Sequence, residues 1–188
     1  MNAENMSNGN FAGIDLAASS RRKTGVVVLG ETNGGVTLIY HGSLRTDIEI
    51  ISVLQAHRVK LVAIDAPLTA SSTFRRVDLS MIKMGFRVLP PGMPGMRELT
   101  KRGISVSNAL RNLGLTVIET HPHSSLKSSM CGDVTTLAQR HGVDVSWLSN
   151  NDEVDAFIAA LTAFYCGKSS CRVIEEVDGR IYLLPKIC

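Results

Sequence analysis

Three apolar segments of this chain each run directly into an acidic residue. The segments FAGID, LVAID and TVIE place Asp15, Asp65 and Glu119 after hydrophobic runs that are typical of buried strands. Burying an ionised carboxylate costs several kcal/mol even after the surrounding protein relaxes. The folded chain must therefore compensate these three charges or use them. If the three strands are parallel neighbours, their carboxyl ends share one edge of a sheet, which is where ligands bind in open α/β folds.

The order of the predicted elements indicates an α/β fold. Residues 11–17, 24–31 and 35–42 predict a three-strand antiparallel meander, in which Asn33-Gly34-Gly35 is a good hairpin turn. Helical and strand patterns alternate after the meander. The predicted helices are residues 46–58, 72–86, 97–114 (weakened at Gly103) and 152–166, and the predicted strands are residues 60–67, 115–122 and a final strand or hairpin within 171–185. This order predicts a mixed sheet with helices on both faces.

Length and composition indicate one globular domain. The 188 residues are 44% hydrophobic and show no repeat or linker, so we expect a flexible tail at residues 1–10 and a single domain over residues 11–188. The sequence shows no signal-peptide pattern and no apolar run of membrane-spanning length, and its four cysteines form no CxxC pair. We therefore expect reduced cysteines, a cytoplasmic location and no membrane partner. The net charge of +3 permits an anionic partner without demonstrating one.

Two more acids open the helix predicted near the end of the chain. Asp152 and Asp155 are three residues apart, so they lie on adjacent parts of one helical face. Alanines at positions 156, 159 and 160 would let the backbone of this helix approach the sheet closely. We expect the helix to bring Asp155, and with it Asp152, up to the acidic strand ends.

A cluster of carboxylates at one sheet edge favours a divalent metal site. Carboxylates in one dry pocket repel one another and raise each other's pKa. A hard cation such as Mg²⁺ or Mn²⁺ prefers oxygen ligands and relieves that repulsion. Two such ions can activate a water molecule and stabilise the leaving oxygen of a phosphodiester. The acids are therefore predicted to bind Mg²⁺ or Mn²⁺ and to hydrolyse phosphodiester bonds.

Several motifs together resemble a known family. They are GIDLAAS, AIDAPL, FRRVD, LPPGMPGMRELTKRG, VIETHP and DEVDAFIAALTAF, and they extend from about residue 11 to residue 185. As a set they resemble an uncharacterised family of predicted nucleases with a ribonuclease H-like fold, which is related at the level of fold to Holliday-junction resolvases. The resemblance implies a mixed five-stranded sheet, with the three-strand antiparallel meander beside parallel strands, and helices on both faces.

The resemblance also implies roles for the acids as catalytic residues. It implies metal-ligand roles for Asp15, Asp65 and Asp155, and it matches Asp152 to an accessory acid. Glu119 lies on the fifth strand, outside the usual ligand positions, and is a further catalytic candidate. The implied partner is nucleic acid, and the implied cofactor is Mg²⁺ or Mn²⁺.

Basic residues around an irregular segment are candidates for binding substrate phosphates. The segment VLPPGMPGM, residues 88–96, contains three prolines and two glycines, and it could act either as a lid or as a rigid connector. Arg75, Arg97 and Lys101 flank it and are the preferred phosphate contacts. A solvated basic surface is the alternative interpretation of the same residues.

Each acid also has a purely structural alternative. Asp15 could cap a turn or pair with Arg21, Arg22 or Lys23, and Asp65 could accept hydrogen bonds from backbone N–H groups. Asp152 could cap its helix together with Ser149. Glu119 could pair with a neighbouring His or Arg. His121 and His123 lack further ligands at a recognisable zinc spacing, so a turn position, a phosphate contact or a proton transfer is favoured over zinc.

Three functions follow from these features. The first is a divalent-metal-dependent nuclease that hydrolyses nucleic acid through its carboxylate cluster. The second is a catalytically silent module of the same fold that binds nucleic acid or protein. The third is a small-molecule phosphotransferase, because GIDLAASSRRKTG loosely resembles the phosphate-binding first hairpin of actin-like kinases, although one domain leaves little room for their second lobe. The sequence leaves the oligomeric state open, a homodimer included.

Overall fold

A seven-stranded mixed sheet forms the centre of the protein in a computed structural model that describes residues 9–32 and 35–188. The strands are β1 (Asn10–Asp15), β2 (Thr24–Thr32), β3 (Gly35–Leu44), β4 (Val59–Asp65), β5 (Thr116–Thr120), β6 (Arg172–Glu176) and β7 (Gly179–Leu183). Their order across the sheet is β3-β2-β1-β4-β5-β7-β6. Most of the predicted tail and the Asn33-Gly34 part of the predicted turn lie outside the described residues.

The pairing of the strands confirms the predicted mixed sheet. The first three strands form the antiparallel meander, and β4 pairs parallel with both β1 and β5. The prediction of five strands was too low, because the terminal hairpin β6–β7 joins the same sheet. Tyr182 of β7 pairs with Thr120 of β5 in a parallel arrangement, and β6 pairs antiparallel with β7 at the edge of the sheet.

Six helices cover the sheet. They are α1 (Asp47–Ala56), α2 (Arg76–Lys83), α3 (Pro94–Asn112), α4 (Pro122–Ser129), α5 (Val134–Arg140) and α6 (Asn151–Gly167). One face packs against α1 and α3 through a cluster that includes Ile14, Ile64 and Leu110. The other face packs against α6, with Phe157 and Leu161 fully buried, and α4 and α5 lie beside it. Helices on both faces were predicted and are confirmed.

Helix α3 is continuous where a weak point was predicted. Gly103 lies inside it, and a Cβ there would lie 2.9 Å from Ala66 Cβ and 3.0 Å from the Pro67 carbonyl oxygen. The missing side chain lets α3 pack tightly against the segment after β4, and this contact outweighs the low helix propensity of glycine. In the described part of the chain, no helix is both long and apolar enough to cross a membrane.

The four cysteines form two disulfides, so the prediction of reduced cysteines was wrong. Cys131 pairs with Cys188 and Cys166 pairs with Cys171, at Cα–Cα distances of 4.9 and 4.8 Å. The terminal segment lies against the end of α4, where the N–H groups of residues 187 and 188 both donate to the Ser129 carbonyl oxygen. The second pair brackets the end of α6. Because disulfides are rare in the cytosol, this pairing gives no support to the predicted cytoplasmic location.

Candidate metal centre

Asp15 and Asp65 end neighbouring parallel strands at the same level of the sheet. They are paired in the register of β1 and β4. Two residues earlier in each strand, Gly13 and Ala63 lie against α6, so the alternation of a strand puts both aspartates on the α6 face. Both residues are half-buried. The sheet edge therefore holds two adjacent carboxylates on one face, as the sequence predicted.

Helix α6 brings two further carboxylates over this edge because glycines allow its backbone to touch the sheet. A Cβ on Gly13 would lie 2.0 Å from the Ala156 carbonyl oxygen, and one on Gly25 would lie 2.2 Å from the Asp152 carbonyl oxygen. The first turns of α6 therefore lie directly on the carboxyl end of β1 and on the start of β2. Asp152 and Asp155 are both half-buried on this part of the helix.

The cap of α6 leaves Asp152 free of a capping role. The N-cap is Asn150, whose side chain accepts a hydrogen bond from the Glu153 backbone N–H at 3.0 Å. The Glu153 carboxylate accepts from the Ser149 backbone N–H and hydroxyl at 3.0 and 2.9 Å. The predicted capping interaction of Ser149 with Asp152 is thus made with Glu153 instead, one residue along the chain.

Burial and mutual repulsion raise the pKa values of the clustered acids. Burial, followed by the charges of Asp155 and Asp152, raises the pKa of Asp15 to about 7. Burial and then the charge of Asp15 raise the pKa of Asp65 well above its usual range. The pKa of Asp155 is raised mainly by burial, against an opposing effect of His123. These acids therefore destabilise one another when they are ionised.

The four acids have no hydrogen-bonded or ion-paired partner, and the only stabilising charge effect on them is that of His123 on Asp155 among the described residues. Within residues 9–32 and 35–188, the side chains of Asp15, Asp65, Asp152 and Asp155 make no hydrogen bond and no ion pair. The structural alternatives of pairing with residues 21–23 for Asp15, and of backbone hydrogen bonds for Asp65, are therefore not realised.

The donor set of this cluster fits a hard cation. It consists only of carboxylate oxygens, the ligands that Mg²⁺ and Mn²⁺ prefer, and these oxygens are free of protein partners. Across the described ranges, no three His, Cys, Asp or Glu side chains already stand in the arrangement of a formed metal site. The fit therefore rests on the chemistry of the four acids and on their shared edge of the sheet.

Glu119 is held apart from this cluster by the register of β5. It pairs with Ile64, and the residue opposite Asp65 is Thr120, so Glu119 points to the opposite face of the sheet. Its carboxylate accepts from the Leu68 backbone N–H at 2.8 Å and from Arg75 Nη1 at 2.9 Å and Nη2 at 2.5 Å. This pairing with an arginine is the structural alternative that the sequence left open for Glu119.

Arg75 is buried and has no donor to spare for a phosphate. Its Nε and Nη2 donate to Asp78, its Nη1 donates to Thr69 Oγ1, and both terminal nitrogens donate to Glu119. All five N–H groups of the guanidinium are thereby satisfied. The side chain is only 3% exposed. Arg75 therefore holds Asp78 and Glu119 together instead of facing solvent as a phosphate contact would.

The other two predicted phosphate contacts lie on the exposed side of α3. Arg97 donates through Nη2 to the Gly92 carbonyl oxygen at 3.3 Å, and Lys101 pairs with Glu98 at 2.8 Å. Both side chains are exposed. Neither residue lines the cleft that contains Asp15.

Two basic residues of the turn between β1 and β2 line the same cleft as two of the acids. Arg22 and Lys23 line a cleft of about 300 Å³ together with Asp15 and Asp152. Sequence reasoning noted these two residues as basic but preferred the residues around segment 88–96. The signal that could have found them is their position directly after the first acidic strand, which keeps the turn at the same sheet edge.

The two histidines occupy different environments beside the cluster. His121 is the N-cap of α4, and its Nδ1 accepts from the Ser124 backbone N–H at 3.3 Å. Burial, with a smaller effect of His123, lowers the pKa of His121 to about 4, so the ring is neutral at physiological pH. His123 is exposed and interacts electrostatically with Asp155.

The structure of this chain is similar to that of a solved resolvase. No family model and no curated protein matches the sequence. RuvC of T. thermophilus, solved in complex with a Holliday junction substrate, covers 86% of this chain and 97% of its own at a TM-score of 0.59 and 15% identity.

A nuclease domain of the human cytomegalovirus terminase, soaked with Mn and bound to an inhibitor, is also similar. The alignment covers 87% of this chain and 85% of the terminase domain, with 13% identity and a TM-score of 0.34, which is too low to support an argument. The similarity to RuvC concerns the fold, because the identity is low. It confirms the predicted architecture: this chain has a ribonuclease H-like fold.

Proposed function

We propose that this protein is a divalent-metal-dependent nuclease that hydrolyses phosphodiester bonds of nucleic acid. The observation that carries the proposal is the convergence of four unpaired carboxylates from β1, β4 and α6. In the proposed site Asp15, Asp65 and Asp155 hold Mg²⁺ or Mn²⁺, and Asp152 completes the set of ligands. A nucleic-acid substrate is supported by the basic turn beside the acids and by the fold shared with RuvC.

The chain's own residues would bind and orient the substrate. When bound, the cation would activate a water molecule and neutralise charge on the phosphodiester. Arg22 and Lys23 line the cleft beside Asp15 and would hold the phosphate backbone there. Arg97 and Lys101, exposed on α3, would contact phosphates farther along the strand. Glu119 is excluded from the proposed catalytic set because Arg75 occupies its carboxylate.

Cation binding at the proposed site should depend on pH near neutrality, because Asp15 must lose a proton to act as a ligand. Its pKa of about 7 means that the metal-free side chain is partly protonated under physiological conditions. Ligand carboxylates must be deprotonated, so a cation that binds at neutral pH would displace the proton from the Asp15 carboxyl group. Proton release on metal binding is therefore part of the proposal.

A calorimetric titration with Mn²⁺ tests the proposed site. It compares the wild type with Asp15→Asn, and with the control Asp133→Asn, which keeps the capping hydrogen bond of an exposed acid on α5. We expect saturable binding in the wild type and the control and none in Asp15→Asn. In parallel, single-stranded, duplex and branched DNA and RNA are incubated with each protein in Mn²⁺ and in EDTA.

The outcomes separate the three candidate functions. Cleavage that needs both Mn²⁺ and Asp15 supports the nuclease. Metal binding without cleavage of any nucleic acid redirects the site to other phosphate esters, and ATP binding then favours the phosphotransferase. Nucleic-acid binding without metal binding supports the catalytically silent module and contradicts the proposal.

A further inference from the structure

A cavity of about 180 Å³ adjoins the acidic cluster on the side away from the basic turn. Asp65 lies at one end of it, and Leu99 of α3 lines both this cavity and the cleft of Arg22 and Lys23. The two spaces thus share Leu99 as a common wall residue. A ligand whose phosphate lies in the cleft could therefore place a neighbouring group in the cavity.

The walls of the cavity are mostly apolar. They are formed by Val88 and Leu89 of the segment before α3, by Met96 and Leu99 of α3, and by Ile181 of β7. Leu89 is 54% exposed, so the wall that it forms is open to solvent. Walls of this kind favour a flat, weakly polar group over a charged one.

The polar groups of the cavity exclude an anion. Asp65, Asp78 and Glu119 all line it, and the five donors of Arg75 are already engaged. A phosphate would meet carboxylates and find no free guanidinium N–H.

The side chain of His121 offers the cavity a hydrogen-bond donor. The Ser124 backbone N–H donates to Nδ1 of His121, so the neutral ring carries its proton on Nε2. In the described part of the chain Nε2 of His121 makes no hydrogen bond. His121 lines the cavity, and a single N–H donor among apolar walls matches an acceptor on the edge of a nucleobase.

We infer that this cavity receives an unpaired nucleobase next to the phosphate bound at the acidic cluster, an inference that rests on the proposed function. The base would lie between Leu89 and Met96, with its acceptor edge toward His121 Nε2. A base inside a duplex is stacked and paired and cannot enter. The preferred substrate is therefore a nucleic acid whose nucleotide at the site is single-stranded or bulged, since a paired base would first have to be extruded from its duplex.

Binding of a bulged duplex tests the inference. The probe is a short DNA duplex with a single 2-aminopurine bulge, whose emission reports stacking, and its partner is the same duplex with an abasic bulge. Affinities are measured in EDTA and in Mn²⁺. We expect the abasic probe to bind about tenfold more weakly to the wild type, because stacking of one base is worth about 1–3 kcal/mol. The 2-aminopurine emission should change on binding.

A pair of matched variants shows whether the difference in affinity between the two probes arises in the cavity. Leu89→Ala removes a wall of the cavity, whereas Leu113→Ala removes a similarly exposed leucine at the end of α3. Leu89→Ala should narrow the difference between the two probes, and Leu113→Ala should leave it unchanged. Equal affinity of wild type for both probes, or an identical emission change in Leu89→Ala and wild type, overturns the inference.

The same experiment separates this inference from the proposed function. A higher affinity for the 2-aminopurine probe than for the abasic probe in EDTA, together with no Mn²⁺ binding in the calorimetric titration, would support the base pocket and reject the metal site. Mn²⁺ binding and cleavage without discrimination would retain the nuclease and reject the pocket. Failure to bind either probe in both conditions would reject the pocket.

Discussion

Asp15 and Asp65 lie opposite each other in the parallel register of β1 and β4, and neither carboxylate has a protein partner. Neighbouring strands are about 4.8 Å apart, so the two charges stand close together in a partly buried place. Such an arrangement lowers the stability of the protein unless a cation lies between the oxygens. The stability of the metal-free protein and its affinity for a cation are therefore coupled through these two residues.

The metal-free protein should lose stability as the pH rises from about 4 to 7. Unfolded Asp15 ionises near its ordinary pKa of 3.8, whereas the folded residue ionises near 7. Between these values the folded state binds more protons than the unfolded state, so the free energy of unfolding falls with rising pH. Asp15→Asn should flatten this decline and raise the melting temperature at pH 7 by about 2–4 °C for each kcal/mol of repulsion removed.

Urea unfolding in EDTA at several pH values measures this decline, with Asp133→Asn as the control. The pKa of Asp133 is lowered by hydrogen bonds to Thr136, so its contribution has the opposite sign. A wild type that is most stable at pH 7, with no gain in Asp15→Asn, would contradict the prediction.

Mn²⁺ should stabilise the wild type and not the Asp155→Asn variant. A ligand that binds only the folded state adds about 2.7 kcal/mol at a concentration of 100 times its Kd. Because the cation displaces protons, the gain should increase between pH 6 and 8, around the pKa of about 7 of Asp15. Thermal unfolding at increasing Mn²⁺ measures the gain, and an equal gain in the variant would show that the ion binds elsewhere.

Gly13→Ala should lift α6 from the sheet and disable the site. The new Cβ would lie 2.0 Å from the Ala156 carbonyl oxygen and 2.1 Å from the Ala160 backbone nitrogen, and neither atom can rotate away. We expect a loss of about 1–3 kcal/mol or more in the free energy of unfolding and a loss of Mn²⁺ binding. Gly95→Ala is the control, since a Cβ there would have nothing within 4 Å. Equal stability of the two variants would contradict this account of the packing.

The Arg75→Met substitution should lower the free energy of unfolding. It leaves Asp78 and Glu119 without their shared partner, and removing one member of a buried ion pair costs about 3–5 kcal/mol. Lys101→Met breaks an exposed pair with Glu98 and should cost about 0–1 kcal/mol. Urea unfolding distinguishes them. An Arg75→Met protein of normal stability that binds nucleic acid more weakly would contradict this and support the prediction, made from the sequence, that Arg75 contacts a phosphate.

The double substitution of Arg22 and Lys23 by alanine should lower the affinity for nucleic acid. It should also make that affinity less dependent on salt concentration. Each phosphate contact that is lost reduces the slope of log K against log salt by about 0.7 to 0.9, depending on the strandedness of the nucleic acid. Lys168→Ala is the control, because Lys168 pairs with Glu31 at the far end of α6. Fluorescence titrations at increasing salt measure the slope. An unchanged slope in the double variant would place the backbone contacts elsewhere.

Much of the site could be predicted because its parts are local in sequence. An apolar strand followed by an acid identifies the ends of β1 and β4, and the alanines of α6 indicate close packing on the sheet. These signals need no knowledge of distant contacts. They sufficed to bring Asp15, Asp65, Asp152 and Asp155 to one edge.

The remaining features depend on pairings that one sequence does not contain. Glu119 was grouped with the other acids because the register of β5 was unknown, and a shift of one residue moves a side chain to the other face. The pairing of Cys131 with Cys188 joins positions 57 residues apart, and no local spacing indicates it. The buried role of Arg75 likewise depends on Glu119, which lies 44 residues further along the chain.

The contact of α6 with Gly13 and Gly25 means that the depth of the site is defined by main-chain atoms. Backbone rests on backbone at both positions, so no side chain acts as a spacer between helix and sheet. Exchanges among the surrounding aliphatic residues can alter the volume of the core without bringing the helix any nearer to the strands. The separation of Asp155 from Asp15 is therefore insulated from repacking of the core, and it depends instead on the absence of a side chain at Gly13 and at Gly25.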